Sequence, residues 1–215
     1  MNIIIEFYKQ GLEHWPKTGQ HILAQQTEEE IVVYQAYKRS ISRFATENQF
    51  LGGSEFSYNR MSWIKPNFLW MMYRCGWAEK ENQENVLALW ISKKDFESVL
   101  NEAVISSFNP LYHKSNEQWR ADLEQKEVRL QWDPDHDPYG HKQERRAIQL
   151  GLKGTTLENF GKNQITRIED ITDFVKQQKS LVDSGRLDEL QMPVERVCKI
   201  VDEALNKRVG IDSHK

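Results

Sequence analysis

An aromatic-rich segment at residues 60–80, RMSWIKPNFLWMMYRCGWAEK, is the feature that most constrains how this chain can fold. Pro66 suits the first turn of a helix, because its missing N–H would have no partner there, and Gly76 suits the end of one. We therefore expect a short buried helix over residues 68–73. The tryptophans of the segment recur every seven residues, at Trp63, Trp70 and Trp77. Large aromatic side chains are usually buried, so the fold must provide a large core.

The amino-acid composition is consistent with a large core. The 215 residues are 39% hydrophobic and 28% charged, values typical of a packed globular protein. We expect an N-terminal extension at residues 1–19 and one domain over residues 20–215, with C-terminal helices within 176–210; two small domains are the alternative. The formal net charge of −3 argues against tight, nonspecific binding of duplex DNA, since that function needs a basic surface.

Short apolar runs and helical periodicities follow one another without a regular strand–helix–strand repeat. The predicted strands are residues 31–34, 86–91, 128–132 and 146–152, and the continuous apolar run 86–91 is expected at the centre of a sheet. The predicted helices are residues 3–13, 36–46, 94–107, 165–179 and 193–208. Loops are predicted at residues 52–59 and 133–138. This order favours a compact α+β fold over a doubly wound parallel sheet.

The sequence lacks the usual signals for membrane insertion or export. No apolar run reaches the roughly 18 residues that a bilayer-spanning helix needs, and the N-terminus has no basic region and no cleavage site. Cys75 and Cys198 are too few for a disulfide framework or a four-cysteine metal site. Cys75, although next to Arg74, is expected to be a core residue rather than an activated thiol. We expect a reduced, soluble, cytoplasmic protein with no membrane partner.

Motifs of several common enzyme classes are missing. There is no phosphate-binding glycine loop, no G-x-S-x-G nucleophile motif and no H-E-x-x-H zinc motif. One acidic segment has oxygen and nitrogen donors that could hold a divalent cation: Asp133, Asp135, His136, Asp137 and His141. The glycine and the terminal Glu of an EF-hand are missing, and Asp-Pro steps are typical of an ordinary turn, so we expect no metal.

A cluster of cations surrounds the aromatic segment. Arg60, Lys65 and Arg74 are interleaved with tryptophan and tyrosine, which provides charges for phosphates and rings for base stacking. The cluster indicates a site for a nucleotide or single-stranded nucleic acid, although a solvated face beside a core helix has the same composition. Residues 34–37 lie where a predicted strand passes into a helix, a common position for site residues and for ordinary strand ends alike.

Five sequence blocks together resemble a known protein family. They are IVVYQAY at residues 31–37, RMSWIKPNFLWMMYRCGWA at 60–78, QENVLALWI at 83–91, VRLQWDPDHDP at 128–138 and RAIQLGL at 146–152. In order and content they are similar to the domain-of-unknown-function family numbered 4291 (DUF4291), over about residues 20–175. That family has no assigned activity, so the resemblance implies kinship and leaves the chemistry open.

The order of elements also resembles the ADP-ribosyltransferase fold, including its DNA-modifying members from toxin–antitoxin pairs. This resemblance implies a split sheet, NAD as the cofactor, and an opening strand followed by a helix and a glycine turn, as in residues 31–53. A late strand of that fold carries a catalytic Glu, and Gln149 has that position here. Because Gln cannot act as a carboxylate base, Glu144 or Asp133 would have to serve, or the activity is lost.

The second resemblance implies a set of site residues. Those expected to bind the cofactor are Tyr34, Gln35, Tyr37, Arg60, Trp63, Lys65 and Tyr73, and those expected to be catalytic are Arg74 and Gln149. In this interpretation Arg60 and Lys65 hold the pyrophosphate, Trp63 or Tyr73 stacks on nicotinamide or a base, and Gln149 orients the ribose. Arg74 supports the pyrophosphate or meets the acceptor.

The expected function is NAD-dependent ADP-ribosyl transfer to a nucleic acid or nucleotide, with single-stranded DNA or RNA as the partner. One alternative is a non-catalytic module that binds single-stranded nucleic acid or nucleotides. Another is a protein-interaction domain in which the tryptophan-rich segment is partly exposed.

Overall fold

Strands and helices occur in mixed order in the computed structural model, which describes residues 2–212. The strands are β1 Ile5–Phe7, β2 Gly19–Gln20, β3 Leu23–Ala24, β4 Glu30–Tyr37, β5 Ser62–Ile64, β6 Asn85–Ser92, β7 Ala103–Ile105, β8 Val128–His136, β9 Lys142–Leu152, β10 Ile165–Asp170, β11 Gln191–Pro193 and β12 Arg196–Val197. The α-helices are α1 Tyr8–His14, α2 Arg39–Asn48, α3 Phe68–Cys75, α4 Lys93–Glu102, α5 Asn116–Gln125, α6 Gly154–Asn159, α7 Thr172–Asp183 and α8 Glu203–Val209. A π-helical turn, Phe160–Gln164, joins α6 to β10. The predicted α+β class is confirmed.

The first sheet has the strand order β10–β6–β4 and is antiparallel throughout. Its central strand is β6, as predicted from the apolar run. Successive side chains of a strand point to opposite faces, and both faces of β6 are buried. Leu89 packs in one cluster with Leu130 and Leu150 of the second sheet. Trp90 belongs to a second cluster, with Phe68 and Phe174 of the helices α3 and α7. Burial on both faces explains why the run is continuous rather than alternating.

The second sheet is built around the long strand β9. Its neighbour on one side is β8, which pairs with β7 in turn, and its other side pairs with β2 and with β5 at separate points. The two sheets are joined by a bridge between β4 and the residue that follows β5. The Tyr34 N–H donates to the Lys65 carbonyl at 2.7 Å, and the Lys65 N–H donates to the Tyr34 carbonyl at 3.2 Å.

The predicted helix in the aromatic segment is confirmed as α3. It begins at Phe68 after Asn67, whose side chain accepts a hydrogen bond from the Trp70 N–H at 2.7 Å. Pro66 therefore lies just before the helix cap rather than in the first turn. The helix ends at Gly76, where φ is +58°, a left-handed conformation that glycine adopts without strain.

The prediction of a loop at residues 133–138 is wrong. The strand β8 continues to His136, with Asp133 opposite Ala147 and Pro134 opposite Arg146 of β9. A register shift between Pro134 and His136 accommodates the proline, which cannot donate a hydrogen bond to the ladder. The turn starts only at Asp137, whose carbonyl accepts from the Gly140 N–H at 2.9 Å.

Four helix predictions need correction because strand pairing replaced local periodicity. The helices predicted at residues 3–13, 36–46, 94–107 and 165–179 begin or end with strand residues, which belong to β1, β4, β7 and β10. For example, Ile168 pairs with Leu89 at the edge of the first sheet. Short apolar segments are compatible with both the helical and the strand periodicity, and pairing with a neighbouring strand determines which structure forms.

The C-terminal part of the chain is less helical than predicted for residues 193–208. Only α8 forms there, and β11 and β12 precede it as short strands that pair with β1 and β3. Tertiary pairing again outweighed the apolar stripe that had indicated a helix. None of the helices within residues 2–212 is both long enough and apolar enough to cross a membrane.

The segment expected as an N-terminal extension, residues 1–19, is described from residue 2 onward. Residues 2–19 pack closely against the rest of the chain. The strand β1 pairs with β11, and the Tyr8 N–H donates to the Leu190 carbonyl at 2.8 Å. Trp15 is 5% exposed, and its indole N–H donates to the Glu195 carbonyl at 3.1 Å. Its ring also lies 5.1 Å from the Arg145 guanidinium.

We predict that Trp15→Ala will lower the free energy of unfolding by about 3–5 kcal/mol, because it leaves a cavity under the N-terminal segment. The matched control is Leu12→Ala, whose side chain is 43% exposed and whose loss should cost about 0.5 kcal/mol or less. Urea denaturation followed by circular dichroism measures both. Equal, small effects would show that residues 1–19 contribute little to the stability of the fold.

Candidate functional site

A cleft of about 740 Å³ opens beside the bridge between the two sheets. Its lining comes from the end of β4, the start of α2, the segment before β5, β5 itself, α3, the segment before β6, and the strands β8 and β9. Seven residues expected at a site line it: Gln35, Tyr37, Arg60, Trp63, Lys65, Arg74 and Gln149. Residues up to 114 positions apart in sequence therefore meet in one cavity, of a volume ordinary for a ligand site.

Two other expected site residues lie outside the cleft. Tyr34 is fully buried, with its ring 5.6 Å from that of Phe68 in the core. As the neighbour of Gln35 in β4, it points to the opposite face of the strand. Tyr73 is 44% exposed and stacks on His136, with ring centroids 3.6 Å apart, beside a separate shallow hollow.

A hydrogen-bonded group of three side chains forms one wall of the cleft. The Gln35 amide donates to the Ser62 hydroxyl oxygen at 2.8 Å, and the Tyr37 hydroxyl donates to the Gln35 amide oxygen at 2.9 Å. The Tyr37 and Ser62 hydroxyls are also 2.8 Å apart. Burial raises the pKa of Tyr37, so this hydroxyl stays protonated. The closed triangle holds each side chain in place and presents neutral polar groups to a ligand.

A second polar group lies across the strands β8 and β9. Gln149 is directly opposite Gln131, and its amide donates to the Gln131 side-chain oxygen at 2.8 Å. The same amide nitrogen donates to the Asp133 carboxylate at 2.7 Å. Because residues two apart on a strand share a face, Asp133 is on the same side of the sheet as Gln131, which lines the cleft. A carboxylate is thus held next to Gln149, although Asp133 itself is not one of the residues that line the cleft. Glu144 is exposed and does not line the cleft either.

The ring of Trp63 lies over Gly151, its partner across β5 and β9. A Cβ atom at position 151 would come within 2.9 Å of the Trp63 ring and 2.7 Å of the Met61 sulfur. Glycine is therefore what allows this half-buried indole to lie against the sheet and line the cleft.

Unpaired cations give the cleft its electrostatic character. Among residues 2–212, Glu55 is the only acidic residue that lines the cleft, and an ion pair with Lys38 neutralises it. Arg60 and Arg74 are exposed, and within residues 2–212 neither forms an ion pair. The Arg74 guanidinium lies 6.0 Å from the centre of the Trp70 ring. A chain with net charge −3 thus has a cavity with positive potential.

Lys65 differs from the other cations because it is only 6% exposed. Its ammonium group donates to the Trp63 carbonyl at 3.2 Å. Burial, with a smaller effect of the Arg74 charge, lowers the pKa of Lys65 to about 7. Cys75 and Asp133 act in the opposite direction but do not offset burial. Perturbed lysines of this kind, lining a cavity, are typical of functional sites.

Side chains of the acidic segment around β8 are engaged in contacts with basic residues. Within residues 2–212 no three His, Cys, Asp or Glu side chains are grouped so as to hold a metal ion. Asp135 is buried and bonded to Arg145 at 2.5 Å, and Asp137 bonds to His141 at 3.0 Å. Cys75 is a fully buried free thiol whose pKa is raised by burial, which gives it the character of a core residue.

Several cleft residues were not singled out from the sequence. Ser62 and Gln131 complete the two hydrogen-bonded groups, and Lys38 neutralises Glu55. A usable signal existed for Gln131, since Leu130, Gln131 and Trp132 alternate in polarity along β8. No sequence signal identifies Ser62, because its role depends on the contact between β4 and the start of β5.

The family resemblance is confirmed by a direct comparison. The family model described as "Domain of unknown function (DUF4291)" matches residues 21–198, so the chain belongs to this family. The match contains every residue that lines the cleft. It extends further toward the C-terminus than the five sequence blocks suggested. A comparison with curated proteins finds no match.

The buried amine of Lys65 leads to a prediction about pH. Lysine has a pKa of 10.5 in the unfolded chain against about 7 here, so the unfolded state binds the proton more tightly. Folding is therefore penalised below pH 7, and the penalty decreases as pH rises toward 10.5. We predict that Lys65→Met stabilises the fold, and that its advantage over the natural chain shrinks by about 1 kcal/mol per pH unit between pH 7 and 9.

Chemical denaturation at several pH values measures this difference. The control is Lys94→Met, since Lys94 is an exposed lysine of α4 and its removal should give no such trend. A difference between Lys65→Met and the natural chain that stays constant over this range would mean that the buried amine remains charged.

Proposed function

We propose that the chain is an NAD-dependent ADP-ribosyltransferase that acts on a nucleic acid or nucleotide. The proposal rests on one observation: cations, an indole ring and amide groups held by hydrogen bonds line the same cleft of about 740 Å³. Charges for phosphates and a ring for stacking are what a nucleotide requires. The volume lies within the range of 300–1,000 Å³ that is common for cofactor and ligand sites.

The binding roles follow from exposure and charge. Arg60 and Arg74 are exposed, unpaired guanidiniums that suit bidentate contacts with the pyrophosphate. The amine of Lys65, which lines the same cleft, can donate a further hydrogen bond to the pyrophosphate. Trp63 offers a ring for the nicotinamide or the adenine. Gln35 and Tyr37, held by Ser62, provide hydrogen bonds of fixed direction.

The chemistry rests on Gln149 and Asp133. In the transfer, the bond between ribose C1′ and nicotinamide breaks, and its electron pair stays on the nicotinamide ring nitrogen. A lone pair of the acceptor forms the new bond to C1′, and the acceptor proton goes to the Asp133 carboxylate. The negative charge of Asp133 also stabilises the cationic ribosyl carbon of the transition state. Gln149, bonded to Asp133 at 2.7 Å, holds that carboxylate and orients the ribose.

A second function, a non-catalytic module for nucleotides or single-stranded nucleic acid, is favoured by one observation. The residue expected to carry the catalytic carboxylate is the amide Gln149, and its hydrogen bonds to Gln131 and Asp133 are already formed. A binding module needs only the cations and the ring of Trp63. Its affinity for an oligonucleotide would fall steeply with salt and would not depend on NAD.

We predict that Arg60→Gln and Arg74→Gln will each weaken NAD binding by about 3- to 30-fold, because each removes a charge-assisted contact with phosphate. The control is Arg120→Gln, which removes an exposed arginine of α5 away from the cleft. Isothermal titration calorimetry measures the affinities. Unchanged binding in both cleft variants would contradict the site assignment.

We predict that Asp133→Asn will slow nicotinamide release in the presence of single-stranded DNA or RNA by about 10²- to 10⁴-fold, since it removes the base. NAD affinity should change little, because the amide keeps the contact geometry. Glu124→Gln, at an exposed site on α5, controls for the loss of one charge. Release is followed by chromatography, with the mass of the oligonucleotide as a second readout. Binding of NAD without release, in the natural chain, would favour the non-catalytic module.

A further inference from the structure

The amine of Lys65 lines the cleft without an acidic partner. Within residues 2–212 it forms no ion pair, and its hydrogen bond is to the Trp63 carbonyl. The nearby acids are already engaged, since Glu55 pairs with Lys38 and Asp133 accepts from Gln149. Among the described residues, no carboxylate forms an ion pair with this amine, so its charged form lacks the direct contact that would stabilise it most.

On balance the surroundings of this amine favour its neutral form, although Cys75 and Asp133 act in the opposite direction. Burial has the largest effect, and the positive charge of Arg74 acts in the same direction. Cys75 is a buried thiol whose own pKa is raised, so it supplies no thiolate near neutral pH. A desolvated lysine next to a second cation is one of the arrangements by which proteins make an amine nucleophilic near neutral pH.

The backbone holds the amine in a defined place. Both main-chain groups of Lys65 bond to Tyr34, and the next residue, Pro66, restricts the backbone further. The side chain therefore extends into the cleft from the junction of the two sheets rather than from a mobile loop. Reactive groups need such a rigid support to meet a ligand in one orientation.

We propose that Lys65 is a nucleophile that forms an imine with the carbonyl carbon of a phosphate-bearing aldehyde. The amine lone pair attacks the carbonyl carbon, the two amine protons leave with the carbonyl oxygen as water, and a C=N bond remains. No oxidant or reductant is needed. This reactivity goes beyond the proposed function, because it does not require NAD.

The rest of the cleft selects the ligand class. Arg60 and Arg74 are unpaired and suited to a phosphate group. Trp63 offers a flat ring surface to the body of the ligand. An aldehyde that carries a phosphate thus has a partner for each of its parts, whereas an aldehyde without phosphate would lack the charged contacts.

Pyridoxal 5′-phosphate is a suitable probe for this reactivity. The full chain is incubated with the probe at low concentration near neutral pH, and borohydride then reduces the imine to a stable secondary amine by adding hydride to the C=N carbon. Digestion and mass spectrometry identify the modified lysines. Pyridoxal, which lacks the phosphate, serves as the matched probe. Lys94, an exposed lysine of α4, is the internal reference in every sample.

We expect Lys65 to be modified ahead of Lys94, and at least about tenfold faster with pyridoxal 5′-phosphate than with pyridoxal, as one charge-assisted phosphate contact implies. Inorganic pyrophosphate should protect Lys65 and leave Lys94 unaffected. Arg60→Gln and Arg74→Gln should reduce the advantage of the phosphate probe.

Modification of Lys65 no faster than that of Lys94 would overturn the proposal, as would equal rates with the two probes. The natural chain decides both points, so the result does not depend on the folding of any variant. It is also independent of NAD, because failure of nicotinamide release leaves this labelling pattern unchanged.

Discussion

Two backbone hydrogen bonds between Tyr34 and Lys65 join the two sheets, and the arrangement of the cleft depends on them. They fix the end of β4 next to the end of β5, so Gln35 and Ser62 come within hydrogen-bond distance. They also place Lys65 at the start of the segment that leads into α3. Without this junction, polar residues from opposite halves of the chain would not share one cavity.

The core around this junction accounts for the unusual electrostatics of the cleft. The first sheet is buried on both faces, by the second sheet on one and by α3 and α7 on the other. A side chain that emerges where these layers meet is removed from water, which explains the lowered pKa of Lys65. Arg60 and Arg74 remain at the exposed rim and keep their charge in contact with solvent. One cavity therefore combines a buried amine whose pKa is lowered to about 7 with two exposed guanidinium groups.

The sequence predicted best those elements that local rules govern. The strand β6 and the helix α3 were predicted correctly. Burial of a strand on both faces requires a continuous apolar run, and a helix end in the left-handed conformation favours glycine, as at Gly76. The loop expected at residues 133–138 instead continues β8, because pairing with β9 outweighs the turn preference of Asp-Pro. The helix expected at residues 165–179 starts with β10 for the same reason. Whether such a segment forms a strand depends on pairing with another strand that is distant in sequence, and the local sequence pattern does not indicate that pairing.

The types of residue in the candidate site were determined by the sequence, since the cations and aromatic rings stand together in residues 60–74. Only the tertiary structure decided which of them share the cleft. Tyr34 fell on the core face of β4 because strand side chains alternate, while its neighbour Gln35 faced the cavity. Gln149 forms hydrogen bonds with Asp133 and Gln131 because of the register in which β8 and β9 pair. The burial that changes the chemistry of Lys65 comes from many distant residues packing together, which a single stretch of sequence does not encode.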